Sequence, residues 1–519
     1  MMLKKLFFSM AVLFATTCFA QQVIWSTPID LSTSNSNTPD IKINENDIAV
    51  AVWVWNNGSF NVIQERHSFD GGINWTPPQV ISTSTTHSRR PKVALNDNNL
   101  AIVLWGERDP SNDYRITESH CTVGVTSWTP RKYLSTAGND SDYPKIALNN
   151  QGHAIGVWQY YNGSNYRIES NHSLDGSVNW TGNTFLSPNL FNAFEPEIAM
   201  NNNDQAIVLM RRNDGSNNLA EENHTSNAGA SWSGANTLSD IGKDTNEISV
   251  DINESGIGLA TWKISSGTPV YVQVRQTINA GNTWQPVINL NSSTNPFYFT
   301  QVQINDNNKA VATWALSDGS NPLLQTEYSI DGGANWSSPY FIPPLRATQK
   351  YPVLAMNNEN IVAAFYGLDD GSDYLTQCAV SFDGGVTWPS TETISLAGAD
   401  STEFQITMNE KNIILGIWER NNAIQISYPI SISYLNTATN TFTQRSLFQN
   451  QIINEITWDN LSYASYYKVY ADANLTDLVY QGKDPYFYGG VKKGESKSYY
   501  IVYVDNTGNE SLPTIVTIP

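Results

Sequence analysis

The chain has 519 residues, with 29 Lys and Arg against 48 Asp and Glu, which gives a formal net charge of −19. An acidic chain repels phosphate backbones and anionic lipid, so binding to nucleic acid or to an anionic membrane surface is disfavoured. Only 15% of the residues are charged and 11% are aromatic, which excludes a disordered chain and indicates a β-rich fold with many tight turns.

The N-terminus has the composition of a secretory signal. Lys4 and Lys5 precede the apolar run 6–15, and the small residue Ala20 follows. This run is too short to cross a bilayer as a helix, and no later apolar segment has the length of about 20 residues that a spanning helix needs. The sequence therefore predicts a signal peptide at residues 1–20 and an exported protein, whether periplasmic, cell-surface or extracellular, without membrane insertion.

Most of the chain repeats one unit. A Trp follows a glycine-containing turn at Trp75, Trp128, Trp180, Trp232, Trp284, Trp336 and Trp388, spaced once by 53 residues and five times by 52. An Asn recurs in the same way at Asn44, Asn96, Asn149, Asn201, Asn253, Asn305, Asn357 and Asn409. Each unit predicts four short strands, and the second, as at 48–53, is apolar throughout and must be covered on both faces.

A four-stranded unit of this length, with a middle strand buried on both faces, is typical of a β-propeller blade. The eight copies predict an all-β fold with a propeller at residues 21–448, of eight blades or, as the alternative, seven. The outermost strand is represented nine times, counting 25–32 at the start and 442–447 at the end. The sequence leaves open which of these two terminal strands completes the ring.

The turn between the third and fourth strands carries a motif. Residues 68–75, 173–180, 329–336 and 381–388 begin with Ser-x-Asp-Gly and end with Trp. The motif resembles the Asp-box, Ser-x-Asp-x-Gly-x-Thr-Trp, of the sialidase (BNR-repeat) superfamily. The resemblance implies a propeller in which these turns are folding elements on the face away from the active site.

The C-terminal segment, residues 449–519, resembles a fibronectin type III domain. Trp458 is followed by the alternating Tyr and Val residues of 466–470 and 499–505. The resemblance implies a small β-sandwich that acts as a spacer or adhesive unit.

Sialidase chemistry would need three arginines for the substrate carboxylate, a Tyr–Glu nucleophile and an Asp acid/base. The family's Phe/Tyr-Arg-Ile-Pro motif is missing from the first unit, and the segment 89–91 in the second keeps only Arg-x-Pro. Candidate catalytic residues on the face opposite the Asp-boxes are Arg90, Arg212, Arg346, Arg420 and Glu195. Other charged residues expected on that face are Arg108, Arg211, Glu107, Asp109, Asp142, Glu247, Glu403 and Glu419.

One position in each unit varies while the scaffold repeats. It lies before the first strand and reads Thr38, Arg90, Tyr143, Glu195, Glu247, Phe299, Tyr351 and Glu403. We expect these residues to surround the mouth of the axial channel. All of them except Thr38 are predicted to bind the ligand. Aromatic rings, acids and an Arg suit stacking on sugar rings with directed hydrogen bonds. A solvated rim without a specific role is the alternative.

No metal or cofactor site is predicted. Histidines recur at 67, 120, 172 and 224, and Glu stands two residues before three of them, but each copy lies in a different unit and the four cannot share one ion. The acidic turn 369–373 lacks the spacing of a calcium loop. Cys121 and Cys378 lie in different units and are predicted to be free buried thiols.

Three hypotheses about function follow. The first is an exported propeller that binds glycans or a protein partner, with a glycan or glycoprotein favoured, and has no catalytic activity. The second is an exo-acting glycoside hydrolase of the sialidase type. The third is a structural surface protein. The sequence leaves enzymatic activity and oligomeric state open, and predicts no nucleic-acid partner.

Overall fold

The computed structural model describes residues 23–317, 319, 321–343, 348–432, 437–445, 450–458, 464–472, 476–492, 497–505 and 514–518. The predicted signal peptide and Arg346 lie outside these residues. The chain divides into two compact units, one formed by Val23–Ser431 and the other beginning at Ile432. Within the described ranges no residue is helical, so these residues contain no helix that could cross a membrane.

The first unit contains eight antiparallel sheets of four strands each. We name the sheets blades 1–8 and their strands A–D, from the channel outwards. Strands A are Ser36–Ile43, Ser88–Leu95, Ser141–Leu148, Ala193–Met200, Thr245–Ile252, Phe297–Ile304, Gln349–Met356 and Ser401–Met408. Strands B are Ala49–Asn56, Leu100–Arg108, Ala154–Tyr161, Ala206–Asn213, Gly258–Ile264, Ala310–Ser317, Val362–Asp369 and Ile414–Arg420.

Strands C are Asn61–Ser68, Tyr114–Thr122, Tyr166–Ser173, Asn218–Thr225, Val270–Thr277, Pro322–Ser329, Tyr374–Ser381 and Ala423–Ser427. Strands D of blades 1–7 are Gln79–Val80, Lys132–Tyr133, Thr181–Phe185, Asn236–Thr237, Ile288–Ser293, Tyr340–Phe341 and Ser390–Thr393. Strand D of blade 8 is Ile29–Asp30, which pairs with strand C of that blade. The N-terminal strand therefore completes the ring. Val23–Trp25 and Pro429–Ile432 form an additional two-stranded sheet.

The repeated Trp of strand B explains why the blades stack without helices. Trp53, Trp105, Trp158, Trp262, Trp314 and Trp418 are each fully buried. In four blades the indole N–H donates to a Gln or Glu eleven residues later on strand C, as from Trp314 to Gln325 at 2.9 Å. A buried polar group without a partner is costly, so this contact lets a large aromatic side chain fill the space between blades. The predicted all-β propeller is confirmed.

The repeated Asn joins neighbouring blades, and we call this series of contacts around the ring the Asn ladder. The side-chain amide of Asn44 donates to the carbonyl oxygen of Asn96 at 2.9 Å, and the same contact recurs around the ring until Asn409 donates to Asn44 at 3.2 Å. Blade 3 varies it, because Asn149 donates to the side chain of Asp204 instead. The last contact joins residues 365 positions apart in sequence, which closes the ring.

The Asp-box turns lie at the same end of the blades as this Asn ladder. The backbone N–H of Gly71 donates to the carbonyl oxygen of Asp47, in the A–B turn, at 2.8 Å. Within the turn, Asp70 accepts hydrogen bonds from Ser68 at 2.8 Å and from the backbone of Asn74 at 2.8 Å. The carboxylate thus satisfies turn donors, which is a structural role.

The unit that begins at Ile432 contains two antiparallel sheets. One consists of Thr437–Arg445, Asn450–Trp458 and Tyr486–Lys492, and the other of Leu478–Gly482, Ala464–Tyr470, Lys497–Asp505 and Thr514–Ile518. Its core includes Trp458, whose ring lies 5.5 Å from that of Tyr467. The predicted small β-sandwich is confirmed.

The predicted boundary between the units was at 448/449, with 442–447 counted as a ninth outer strand of the propeller. In the structure Thr437–Arg445 pairs along its length with Asn450–Trp458, and the division falls after Ser431. The reason is that strand D of blade 8 is already supplied by Ile29–Asp30. This leaves the later strand free to form a hairpin with its neighbour in sequence.

Candidate functional site

The eight variable positions lie at the end of the blades opposite the Asn ladder. Each is the third residue of its strand A, and not the residue before the strand, as the sequence analysis expected. Strands A and B shift register at this point in every blade, for example between Asn37 and Asp40. The side chains therefore emerge from β-bulges, which change the direction of a side chain and are common next to functional sites. We call these eight residues the rim.

All eight rim residues have a left-handed backbone. Their φ angles lie between 49° and 60°, a conformation that strongly favours Gly, Asn and Asp. The A–B turns at the other end of the blades follow this preference, as at Asp47, Asn99 and Asn308. The rim contains none of these three residue types, although a bulky residue in this conformation costs on the order of 1 kcal/mol. Strain of this kind, repeated around one opening, marks the rim as a candidate site.

Five consecutive rim residues surround one cavity of about 600 Å³. They are Glu195, Glu247, Phe299, Tyr351 and Glu403, from blades 4 to 8. The rings of Phe299 and Tyr351 lie 4.5 Å apart and are inclined by 48°, and Tyr351 is 51% exposed. The cavity thus combines an accessible aromatic surface with carboxylates on both sides. We call it the rim cavity.

Two of the rim carboxylates are neutralised by cations on strand B of the same blade. Arg211 Nη2 lies 3.0 Å from Glu195 Oε1, and Lys263 Nζ lies 3.1 Å from Glu247 Oε1. Glu247 also accepts the backbone N–H of the next rim residue, Phe299. These acids are held in fixed positions and can accept further hydrogen bonds from hydroxyl groups.

Blade 8 has a different arrangement. Glu403 accepts the backbone N–H of Thr38 in blade 1, while its neighbour on strand B is Glu419. Burial, together with the negative charge of Glu403, raises the pKa of Glu419 to about 7. Desolvation and a nearby like charge both disfavour the carboxylate form.

The remaining rim residues do not line the rim cavity. Arg90 binds Asp142, with Nη1 2.5 Å from Oδ2, and its guanidinium lies 4.1 Å from the centre of the Tyr143 ring. Arg89 also contacts Asp142, at 3.0 Å. The two predicted binding residues Arg90 and Tyr143 therefore form a separate cluster on blades 2 and 3.

The structure does not bring the candidate catalytic arginines together. Arg212 binds Glu221 of its own blade at 2.5 Å, and Arg420, which is 8% exposed, donates to the carbonyl oxygen of Ala397 at 2.8 Å. Neither they nor Arg90 line the rim cavity. Four glutamates do, of which Glu195, Glu197 and Glu247 are paired with cations. No described arginine lines the rim cavity to bind a substrate carboxylate. Glu195, the remaining catalytic candidate, is in the rim cavity and is paired with Arg211.

Sequence reasoning missed several residues of the rim cavity. Glu197, Gln301 and Val353 line it from a position two residues after the rim on strand A, and Thr300, Thr402 and Phe404 line it from adjacent positions. The period of two along a strand could have identified the first group, because alternate side chains of strand A face the channel.

These second positions also line a channel space of about 560 Å³. Charges there are paired between blades, since Lys92 lies 3.3 Å from Asp40 and Lys145 lies 2.6 Å from Glu197. The carboxyl of Asp251, also in the channel, has its pKa raised to about 7 by burial. The channel side chains thus largely satisfy one another.

The other motifs have structural partners. His67, His120 and His224 lie within 3.3 Å of Glu65, Glu118 and Glu222 of the same strands. In the acidic turn, Asp370 accepts the backbone N–H groups of Ser372 and Asp373, as in an ordinary hairpin. Cys121 and Cys378 are free and buried, as predicted. Across the described ranges, no group of three or more His, Cys, Asp or Glu residues could hold a metal ion.

No protein-family model matches the chain, and no curated protein matches it. Among solved structures, an ulvan lyase of a polysaccharide lyase family is 10% identical with a TM-score of 0.45, over 70% of this chain and 95% of that one. A protein of unknown function from Dyadobacter fermentans is 12% identical with a TM-score of 0.41, over 78% and 99%. A Hadza microbial sialidase is 10% identical with a TM-score of 0.38, over 79% and 96%. At these values the likenesses transfer no activity or substrate to this chain.

Proposed function

We propose that the propeller binds a glycan in the rim cavity without cleaving it. The observation that carries the proposal is the ring of bulky residues held in left-handed conformations, five of which surround one cavity. The chain uses unfavourable residue types where Asn or Gly would serve the backbone better. Such a pattern is expected where the side chains themselves are needed.

The chemistry of the rim cavity suits a sugar. The accessible faces of Phe299 and Tyr351 can stack on the apolar face of a pyranose ring. Glu195 and Glu247, held by Arg211 and Lys263, provide fixed acceptors for the hydroxyl groups at the edge of that ring. A concave site with a few oriented polar groups on an aromatic wall is the usual arrangement for small-molecule recognition.

The proposal excludes catalysis of the sialidase type for a geometric reason. Three described arginine candidates, from blades 2, 4 and 8, are bound to separate partners. The charged residues that line the rim cavity are all acidic. A pocket that stabilises a substrate carboxylate needs the opposite charge.

Screening the purified protein on a glycan array, followed by calorimetric titration of the glycans that bind, tests this proposal. We expect Phe299→Ala and Tyr351→Ala each to weaken binding at least tenfold, because each removes a stacking surface worth about 1.4 kcal/mol or more. Tyr340→Ala removes an exposed Tyr from strand D of the same blade as Phe299 and should leave affinity unchanged.

Three results would contradict the proposal. The first is an array without any bound glycan, and the second is affinity that survives both rim substitutions. The third is hydrolysis of a fluorogenic sialoside that is abolished by Arg90→Ala, which would establish the glycoside hydrolase alternative instead.

A further inference from the structure

One position on strand B, ten residues after the Asn of the Asn ladder, lies next to the rim. We call this the support position. Where it is charged or amidic, it is Gln159, Arg211, Lys263 or Glu419. Gln159 accepts the backbone N–H of Glu195 at 2.7 Å, and Arg211 and Lys263 neutralise the rim acids of their own blades. In these blades the support residue therefore either neutralises a rim carboxylate or accepts a hydrogen bond from the backbone of a rim residue.

Blade 8 breaks this rule. Its rim residue is an acid, as in blades 4 and 5, but its support residue, Glu419, is an acid as well. None of the ion pairs formed by the described residues includes Glu403 or Glu419. The repeat provides the comparison: in two blades the protein supplies a cation at this place, and in the third it supplies a second carboxylate.

The neighbouring aromatic residues face the same space. Tyr351 precedes Glu403 around the rim and shares the rim cavity with it. The support position of blade 7 is Gly367, where a Cβ atom would come within 3.2 Å of the Phe404 ring. The Phe404 ring therefore fills the space that a support side chain of blade 7 would take. A cation between Tyr351 and Glu403 would meet an aromatic face and a carboxylate of the rim cavity. Glu419 lies close enough to Glu403 for the two charges to interact.

We infer that the rim cavity takes a glycan with an unacetylated amino sugar, whose ammonium group lies between Glu403 and Glu419. The sugar ring then stacks on Tyr351. This inference rests on the proposed glycan-binding function and specifies the charge of the ligand. The ammonium supplies in blade 8 the positive charge that Arg211 and Lys263 supply in blades 4 and 5.

Other occupants fit less well. A divalent metal ion such as calcium takes six to eight oxygen ligands, more than two carboxylates provide, and it would make no use of the aromatic wall. A uronate or sialoside would bring negative charge to an acidic pocket. A lysine side chain has an ammonium group but no sugar ring that could stack on Tyr351. The experiment uses a lysine-rich peptide to distinguish such a protein ligand from an amino sugar.

The experiment compares β-1,4-linked glucosamine oligomers with N-acetylated oligomers of the same length, by calorimetric titration at neutral pH. We expect the wild type to bind the deacetylated oligomer about tenfold more tightly, the range of a charge-assisted contact. Glu403→Gln and Glu419→Gln should each remove most of this preference for the deacetylated oligomer. Glu359→Gln, an exposed acid in the A–B turn at the other end of blade 7, serves as the control and should keep the preference.

Equal or tighter binding of the N-acetylated oligomer would overturn the inference, as would a preference that survives in the double variant. Binding of a lysine-rich peptide in place of the glucosamine oligomer would overturn it in favour of a protein ligand. If the array shows binding of neutral glycans but neither oligomer binds, this inference fails while the proposed function stands. If no glycan binds at all, both fail.

Discussion

Asn305→Ala is expected to lower the free energy of unfolding of the propeller by about 3 kcal/mol, because it leaves several buried polar groups without partners. The Asn305 amide donates to the carbonyl oxygen of Asn357 at 3.0 Å, and its oxygen accepts the backbone N–H groups of Asn307 and Lys309 at 3.1 and 2.9 Å. One buried side chain thus holds its own turn and the next blade. Denaturant titration followed by tryptophan fluorescence measures the loss.

Asn307→Ala is the matched control for this prediction. Asn307 lies in the same turn and donates to the carbonyl oxygen of Asn358 at 2.5 Å, but the contact is exposed to solvent. Water can replace it, so the expected loss is below about 1 kcal/mol. Equal losses in the two variants would show that the buried ladder has no special role in joining the blades.

Glu327→Gln is expected to make the protein more stable than the wild type by about 3 kcal/mol at pH 9, and to have a much smaller effect at pH 5. Glu327 is 2% exposed, and one of its carboxylate oxygens has no hydrogen-bond partner. Burial raises its pKa to about 8, from an ordinary value of 4.5. In blades 1 and 5 the equivalent residues are Arg66 and Arg275, so the acid is particular to blade 6.

The sign follows from proton binding. Between about pH 4.5 and 8 the folded state keeps a proton on Glu327 that the unfolded chain has released, so stability falls as the pH rises through this window. A glutamine side chain cannot ionise, so the Glu327→Gln variant lacks this fall. Thermal unfolding of both proteins across the pH range measures it, with Glu359→Gln as an exposed control. A wild-type profile with the same slope as that of Glu327→Gln would contradict the prediction.

The rim shows how far sequence comparison between repeats reaches. The positions were identified because Tyr143, Phe299 and Glu403 differ where the scaffold does not. The sequence did not reveal that they lie on bulges in a left-handed conformation. The register shift arises from the pairing of strands A and B, which depends on contacts across the sheet.

The charged candidates show where sequence reasoning ends. Arg212 and Arg420 were predicted on the same face as Arg90, but Arg212 binds Glu221 of its own blade and Arg420 binds Ala397, in the connection between blades 7 and 8. Glu419 appeared only as one of several acids on that face, and its place behind Glu403 became visible with the fold. Ion pairing is decided by distances of a few ångströms between strands, and a repeat pattern does not contain this information.

What the sequence by itself determined is the repeated part of the molecule: strand B buried on both faces, the turns at each end, and a propeller followed by a sandwich. These follow from local patterns of apolar and turn residues that recur in every unit. Only the tertiary structure decided that Ile29–Asp30 completes blade 8, that Thr437–Arg445 belongs to the second unit, and that five rim residues share one cavity. These facts depend on contacts between residues far apart in the chain, since closing the ring joins its first blade to its last.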